Sequence, residues 1–157
     1  KPSSAASDVY MRQTHNISMI GDDKVIVADR ENFRVQIFDL EGNYLDQWHL
    51  HHPMSVTEGK NGDKNLYIGE MGPPDVQKGV PGLGNRIVVL TPEGEKIADL
   101  GEGLPGQNAD QFVAPHGVTT DSKGNVYVGE VAWTWWGSKQ EPQPLGELIS
   151  LRKWIKK

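Results

Sequence analysis

From Lys24 to Trp48 the chain runs through three short stretches, KVIVAD, RVQIFD and YLDQW, separated by RENF and LEGN. Apolar residues recur at every second position, the period of a half-buried β-strand, and Gly, Asp and Asn mark the turns. The first stretch returns as LYIGE (Leu66 to Glu70) and VYVGE (Val126 to Glu130), each ending in an acid as VIVAD does at Asp29. Each is preceded by a polar turn (GDDK, GKNGDKN, DSKGN) and, before that, by a short strand (HNISMI, MSVTEG, HGVTTD). In the first two units a pair of strands follows, RVQIFD with YLDQWHL and RIVVLT with KIADLG. Four short antiparallel strands per repeat spell the blade of a β-propeller, so the predicted class is all-β. The acids lie 41 and 60 positions apart, the second interval stretched by MGPPDVQKGVPGLGN and EGLPGQNADQFVAP. The predicted layout is a blade over 11–50, a second over 54–101 and an incomplete third over 116–157. Residues 1–10 precede the blades and 102–115 link the last two. The tail GELISLRKWIKK suits either period and is read as a strand.

Propellers need roughly four to eight blades to close. Three blades are therefore expected to be half of a six-bladed ring, and their open edges should pair with a second copy or with the missing half. The chain opens on Lys1, and KPSSAASDVY has neither the charged nor the apolar region of a leader, so it is expected to be a piece of something longer.

Composition narrows the chemistry. The chain has 157 residues, 36% hydrophobic and 24% charged, in the range of one domain with a core. With 21 acidic against 16 basic residues, the net charge of -5 gives no reason to expect nucleic acid or an anionic membrane as partner. The absence of cysteine excludes disulfides, thiolate catalysis and Cys-based zinc sites. No apolar stretch approaches the roughly 20 residues of a membrane span.

Repetition separates scaffold from site. Asp29, Glu70 and Glu130 recur in every unit, and the first two are followed by Arg34 and Arg86 at the start of the next strand. An acid that every blade needs is architectural, pairing with that arginine or with turn amides, rather than a catalytic carboxylate. Arg30 has Met71 and Val131 as its counterparts, so no blade-level requirement explains a guanidinium there. It is either an exposed turn residue or a donor fork for a carboxylate or oxyanion. His15 and His116 open the inner strands of the first and third units, with Met54 between them. They are either satisfied structural residues or two imidazoles facing one axis from alternate blades, where neutral nitrogen suits zinc and a third ligand is still required.

The stretches THNISMIGDDKVIVADRENFRVQIFDLEGNYLDQW and FVAPHGVTTDSKGNVYVGEVAWTWWG resemble NHL repeats. They are similar in particular to the C-terminal half of bacterial proteins like peptidyl-α-hydroxyglycine α-amidating lyase, over about Met11 to the C-terminus, most specifically in ADREN and PHGV. That resemblance implies a six-bladed propeller whose channel holds zinc through three histidines on alternate blades, with an arginine of the Asp-Arg-Glu-Asn turn near the substrate. His15, His116 and Arg30 occupy the matching positions. Zinc is the suspected cofactor, with calcium as a second candidate. Thr14 stands where a proline usually precedes the first histidine, and Ala114 and Gly117 replace a Met and an Asp flanking the second. The resemblance assigns a third histidine and a tyrosine base to the other half, so this half alone is expected to be inactive. It also implies a peptide substrate cleaved to amide and glyoxylate, and an exported or periplasmic location. The competing class is a non-enzymatic NHL scaffold that binds a protein or peptide.

Other features weigh less. GEGLPG (Gly101 to Gly106) matches a nucleotide-loop spacing but is followed by QNADQF, not by a helix. The sequon at Asn16 adjoins a channel position and is a poor surface site. Trp133, Trp135 and Trp136 follow a strand end, where they are buried against a neighbour or form a hydrophobic wall for a peptide substrate. The basic end RKWIKK is too local against the net charge to argue nucleic acid.

Overall fold

The computed structural model describes residues 14–72 and 83–156. The expected N-terminal segment 1–10, the first residues of the predicted first blade and much of the MGPPDVQKGVPGLGN insertion lie outside the described residues.

Alternation produces strands where it was read. The first sheet holds β1 (Asn16–Ile20), β2 (Lys24–Asp29), β3 (Arg34–Asp39) and β4 (Tyr44–His49) in the order β1-β2-β3-β4. The second holds β5 (Pro53–Glu58), β6 (Leu66–Glu70), β7 (Asn85–Leu90) and β8 (Lys96–Gly103), also in chain order. The third has β9 (Pro115–Thr120), β10 (Val126–Glu130) and β11 (Leu151–Trp154), and the tail is accordingly a strand. All pairings between these strands are antiparallel. Three antiparallel meanders packed face to face make a partial β-propeller of about three blades.

Two of the hairpin turns share one chemistry. Asp39 accepts hydrogen bonds from the Asn43 backbone N–H at 2.7 Å and side-chain amide at 2.8 Å, while Gly42 takes φ +83°. In the third blade Asp121 accepts from the same two groups of Asn125, at 3.0 and 2.8 Å, and Gly124 takes φ +79°. A positive φ at this point costs glycine nothing, which fixes the D-x-x-G-N spacing of both turns. The Asn125 amide, with backbone N–H groups and the Tyr127 hydroxyl, holds the Asp121 carboxyl down at about 2.

Each interface between blades is a hydrophobic layer built from alternate strand positions. Ile26, Val35 and Ile37 of the first blade meet Val56, Leu66, Ile68 and Val88 of the second. Tyr67, Ile87 and Val89 on the opposite face of the second blade meet Val126 and Val128 of the third, with Phe112 between them. The middle blade is thus apolar on both faces, which is why LYIGE is buried throughout. The two end blades each leave one face open. Ile17 of the first is 68% exposed and Leu151 of the third 70% exposed.

Departing from pure β-structure, a short helix, α1 (Ala132–Trp135), follows β10, and 3-10 turns form at Arg30–Asn32 and Gly137–Lys139.

Candidate functional site at the inner strands

Blade-level register decides what the inner strands present. The recurring acid of each blade binds the arginine of its next strand: Asp29 to Arg34 at 2.8 Å, Glu70 to Arg86 at 2.8 Å, and Glu130 to Arg152. In the second and third blades the same carboxylate also takes the backbone of the incoming linker. Glu70 accepts from the His51 N–H at 2.8 Å, and Glu130 from those of Val113 and Ala114. These acids are architectural, and Glu70 is buried deeply enough that desolvation pushes its carboxyl upward despite Arg86.

With His51 and Val113 anchored alike, the segments HHPM and VAPH run in equivalent positions, so Met54 and His116 open β5 and β9 in the same way. His15, immediately before β1, completes the series. Its Nδ1 lies 2.8 Å from the Met54 carbonyl oxygen, which can only accept, so Nδ1 carries a proton, and in the neutral imidazole the lone pair is then on Nε2. The imidazoles of His15 and His116 meet edge to face with centroids 4.6 Å apart. Burial, followed by the neighbouring His15 and Arg30, pushes the His116 pKa below the ordinary histidine value.

Arg30 starts the 3-10 turn after β2. Its Nε donates to Glu31 at 2.6 Å and its Nη1 stands 3.8 Å from the Met54 sulfur. Beneath this group Met54, Met71, Val113 and Ala114 form a small buried apolar cluster against which Val131 and Trp136 pack. His52 borders it in a left-handed backbone conformation at φ +47°, its ring stacked at 4.5 Å on Phe33, itself at φ +55°. Burial, then His51, holds the His52 pKa below its usual value.

His15 and Arg30 therefore both contact Met54 and the His116 ring meets that of His15, while the three tryptophans have different neighbours. Trp136 joins the apolar cluster, Trp135 lies under the Lys139 ammonium at 4.6 Å, and Trp133 packs over Gly137. The short α1 helix turns successive rings in different directions. Sequence reasoning also missed Arg152, the third architectural arginine. SLRKW was available as its signal, although Arg152 pairs opposite Val128, two positions further along its third strand than Arg34 and Arg86, which pair opposite Asp29 and Glu70. Among the described residues no group of three or more His, Cys, Asp or Glu side chains is placed to hold a metal ion.

The sequence matches no protein-family model. Solved structures match more broadly. A protein of unknown function from Bacteroides caccae aligns at TM-score 0.62 and 16% identity over 90% of this chain and 45% of its own. Hydrazine synthase from Kuenenia stuttgartiensis aligns at TM-score 0.57 and 12% identity over 85% of this chain and 33% of its own. Virginiamycin B lyase from Staphylococcus aureus aligns at TM-score 0.53 and 15% identity over 92% of this chain and 42% of its own, and a catalytically inactive variant of it with quinupristin aligns at 0.52. The chain spans less than half the length of each of these proteins. At such identities the likeness is one of fold, and that fold is the β-propeller.

Proposed function

We propose that this chain contributes part of a metal-dependent lyase site at the propeller axis, of the kind that cleaves peptidyl-α-hydroxyglycine to a peptide amide and glyoxylate. The observation that carries this reading is the meeting of His15 and His116 from the first and third blades, 4.6 Å apart, with Arg30 and Met54 beside them. The donor chemistry fits zinc in kind. Nδ1 of His15 is occupied by a carbonyl, the outer contact that orients a ligating imidazole, and Nε2 is left to coordinate. It does not fit in number, because a catalytic zinc takes three protein ligands and the described residues bring two imidazoles together. The third ligand and the base would come from outside them.

Within that reading, a bound zinc would polarise the hydroxyl or carboxylate oxygen of the substrate. Arg30 would hold the carboxylate, and the Met54–Met71 cluster would keep water from one side of it. Breakage of the C–N bond passes the hydroxyl proton to nitrogen, giving amide and glyoxylate. A lyase among the proteins of similar fold lends this class coarse support.

The second reading is a non-enzymatic propeller scaffold, favoured by the lack of a three-ligand set among the described residues. Metal analysis and glyoxylate release separate the two, in a complete propeller carrying these blades. The lyase reading expects about one zinc per ring, lost in His15→Ala and His116→Ala. It also expects metal retained in Arg30→Ala with turnover lowered by about 10²–10³-fold. A metal-free protein releasing glyoxylate at the uncatalysed rate in every variant leaves the scaffold reading.

A further inference from the structure

Left-handed backbone is rare outside glycine in this chain. Among the described residues other than glycine, only Phe33 (φ +55°), His52 (φ +47°) and Asn61 (φ +58°) have positive φ. Asn61 precedes Gly62 in a polar turn, where asparagine tolerates that conformation. A phenylalanine there is an outlier, and glycine would adopt the same backbone without strain. Phe33 and His52 touch each other, their rings stacked at 4.5 Å with 26° between the planes, and His52 is buried.

The repeat shows that the blades do not require this backbone at residue 52. His51 and Val113 make equivalent contacts to Glu70 and Glu130, so His52 corresponds to Ala114. The His52 carbonyl accepts from the Met71 N–H at 3.1 Å, and the Ala114 carbonyl accepts from the Val131 N–H at 3.2 Å. Ala114 makes that contact without a positive φ and carries no ring to stack.

The stack bears on Arg30. Phe33 closes the 3-10 turn that Arg30 opens, donating its N–H to the Arg30 carbonyl at 3.0 Å, and its own carbonyl accepts from the Leu50 N–H at 3.0 Å. Its carbonyl and its ring therefore tie both ends of the linker 50–52 to the turn that carries the guanidinium. The contacts of Arg30 itself are weak guides. Glu31 belongs to the same turn and its side chain is 39% exposed, while the Met54 sulfur stands 3.8 Å from Nη1. Where the guanidinium points is thus set by where the turn is held.

We propose that Phe33 and His52 are positioning residues for Arg30, two left-handed side chains whose stacked rings fix the turn so that the guanidinium stays against Met54. Strain of this kind persists where the surroundings over-determine it, and here it adjoins the arginine that no blade-level requirement explains. The consequence for turnover rests on the reading that Arg30 holds the substrate carboxylate; the positioning itself does not.

Nuclear magnetic resonance of the arginine Nε–H groups in the 157-residue chain tests the positioning directly. The Arg30 signal, assigned by its loss in Arg30→Lys, should have an order parameter of about 0.8 in the parent and below about 0.6 in Phe33→Gly and His52→Asn. Arg86 should be unchanged in both, and Phe33→Tyr, which keeps the ring, should keep the parent value. A parent value already below about 0.6, or values unchanged in the folded variants, overturns the proposal. If Phe33→Gly does not fold, His52→Asn decides by the same measurement, since asparagine tolerates the left-handed backbone and lacks the ring. In a complete propeller carrying these blades, Phe33→Gly should keep its metal, lower kcat/KM about tenfold or more, and add nothing in the Arg30→Ala background. Full turnover in Phe33→Gly where Arg30→Ala is impaired, or an equal loss in both backgrounds, overturns the proposal as well. If Arg30→Ala itself turns over at the parent rate, the role given to Arg30 in the lyase reading fails, and the order parameters still decide the positioning.

Discussion

Replacing each recurring acid by its amide should destabilise the protein in the order Glu130→Gln, Glu70→Gln, Asp29→Asn. The Glu130 side chain is fully buried and satisfies three donors: Arg152 on one oxygen, the Val113 and Ala114 N–H groups on the other. An amide keeps one acceptor and turns its NH2 toward either the guanidinium or the two N–H groups. One buried donor set is then unmatched, and Arg152, just 5% exposed, loses its counter-charge. Breaking a buried pair from one side costs about 3–5 kcal/mol. Glu70 faces one linker N–H and an arginine that is 13% exposed, and the desolvation that raises its pKa is relieved in the amide. Its loss should be about 2–3 kcal/mol. Asp29 pairs with a 29% exposed Arg34 and with the Asn32 side chain, contacts that solvent screens, so about 1–2 kcal/mol is expected. Urea unfolding followed by tryptophan emission, with unchanged dependence on denaturant, measures all three. If the three variants agree within error, or if Asp29→Asn costs most, the idea that these acids clamp the linkers between blades is wrong.

Further expectations follow from the same contacts. Phe112→Ala should cost about 3–5 kcal/mol because its ring is enclosed on all sides, whereas Leu50→Ala, at the equivalent but open position, should cost about 1–2 kcal/mol in the same unfolding assay. Burial lowers the folded-state pKa of His52 below its unfolded value, so its contribution to stability is fully present above the ordinary histidine pKa and is lost as pH falls through the folded one. Thermal midpoints from about pH 7.5 to about pH 5 should fall for the parent and fall less for His52→Asn, in which asparagine tolerates the left-handed backbone. The open faces carrying Ile17 and Leu151 should drive association with a second copy or with the remainder of a ring. Light scattering of a stable 17.4 kDa monomer at micromolar concentration would refute that.

The blades were legible because period-two alternation and D-x-x-G-N turns are local signals that tertiary packing here reinforces. KVIVAD, LYIGE and VYVGE each became the second strand of its sheet, and the acid closing each found an arginine. Longer-range consequences were less visible. The EGLPGQNADQFVAP insertion reads as loop, yet its Phe112 fills an interface core, a role set by Trp154 and other partners distant in sequence rather than by its own pattern. The α1 helix is four residues long, too short for a hydrophobic period to announce it, and it separates three tryptophans that are close in sequence. Arg30 stood out only by comparison between repeats, since nothing in RENF alone distinguishes a site arginine from a turn arginine.

The middle blade shows how architecture and chemistry share one register. Met54 occupies the position that carries a histidine in the blades on either side, and it brings no titratable group to the axis. Its carbonyl nevertheless fixes the tautomer and tilt of His15, and its sulfur lies against the Arg30 guanidinium. A histidine here would add a third imidazole in contact with two others, raising like-charge repulsion wherever any two were protonated. A thioether fills the same space without charge and adapts its shape to both neighbours. The alternation His15, Met54, His116 thus lets two imidazoles approach within 4.6 Å while the blade between them supplies packing and orientation. The same backbone contact that ties the linker to Glu70 or Glu130 sets where Met54 and His116 begin, so the position of the inner-strand site depends on carboxylates that never touch it.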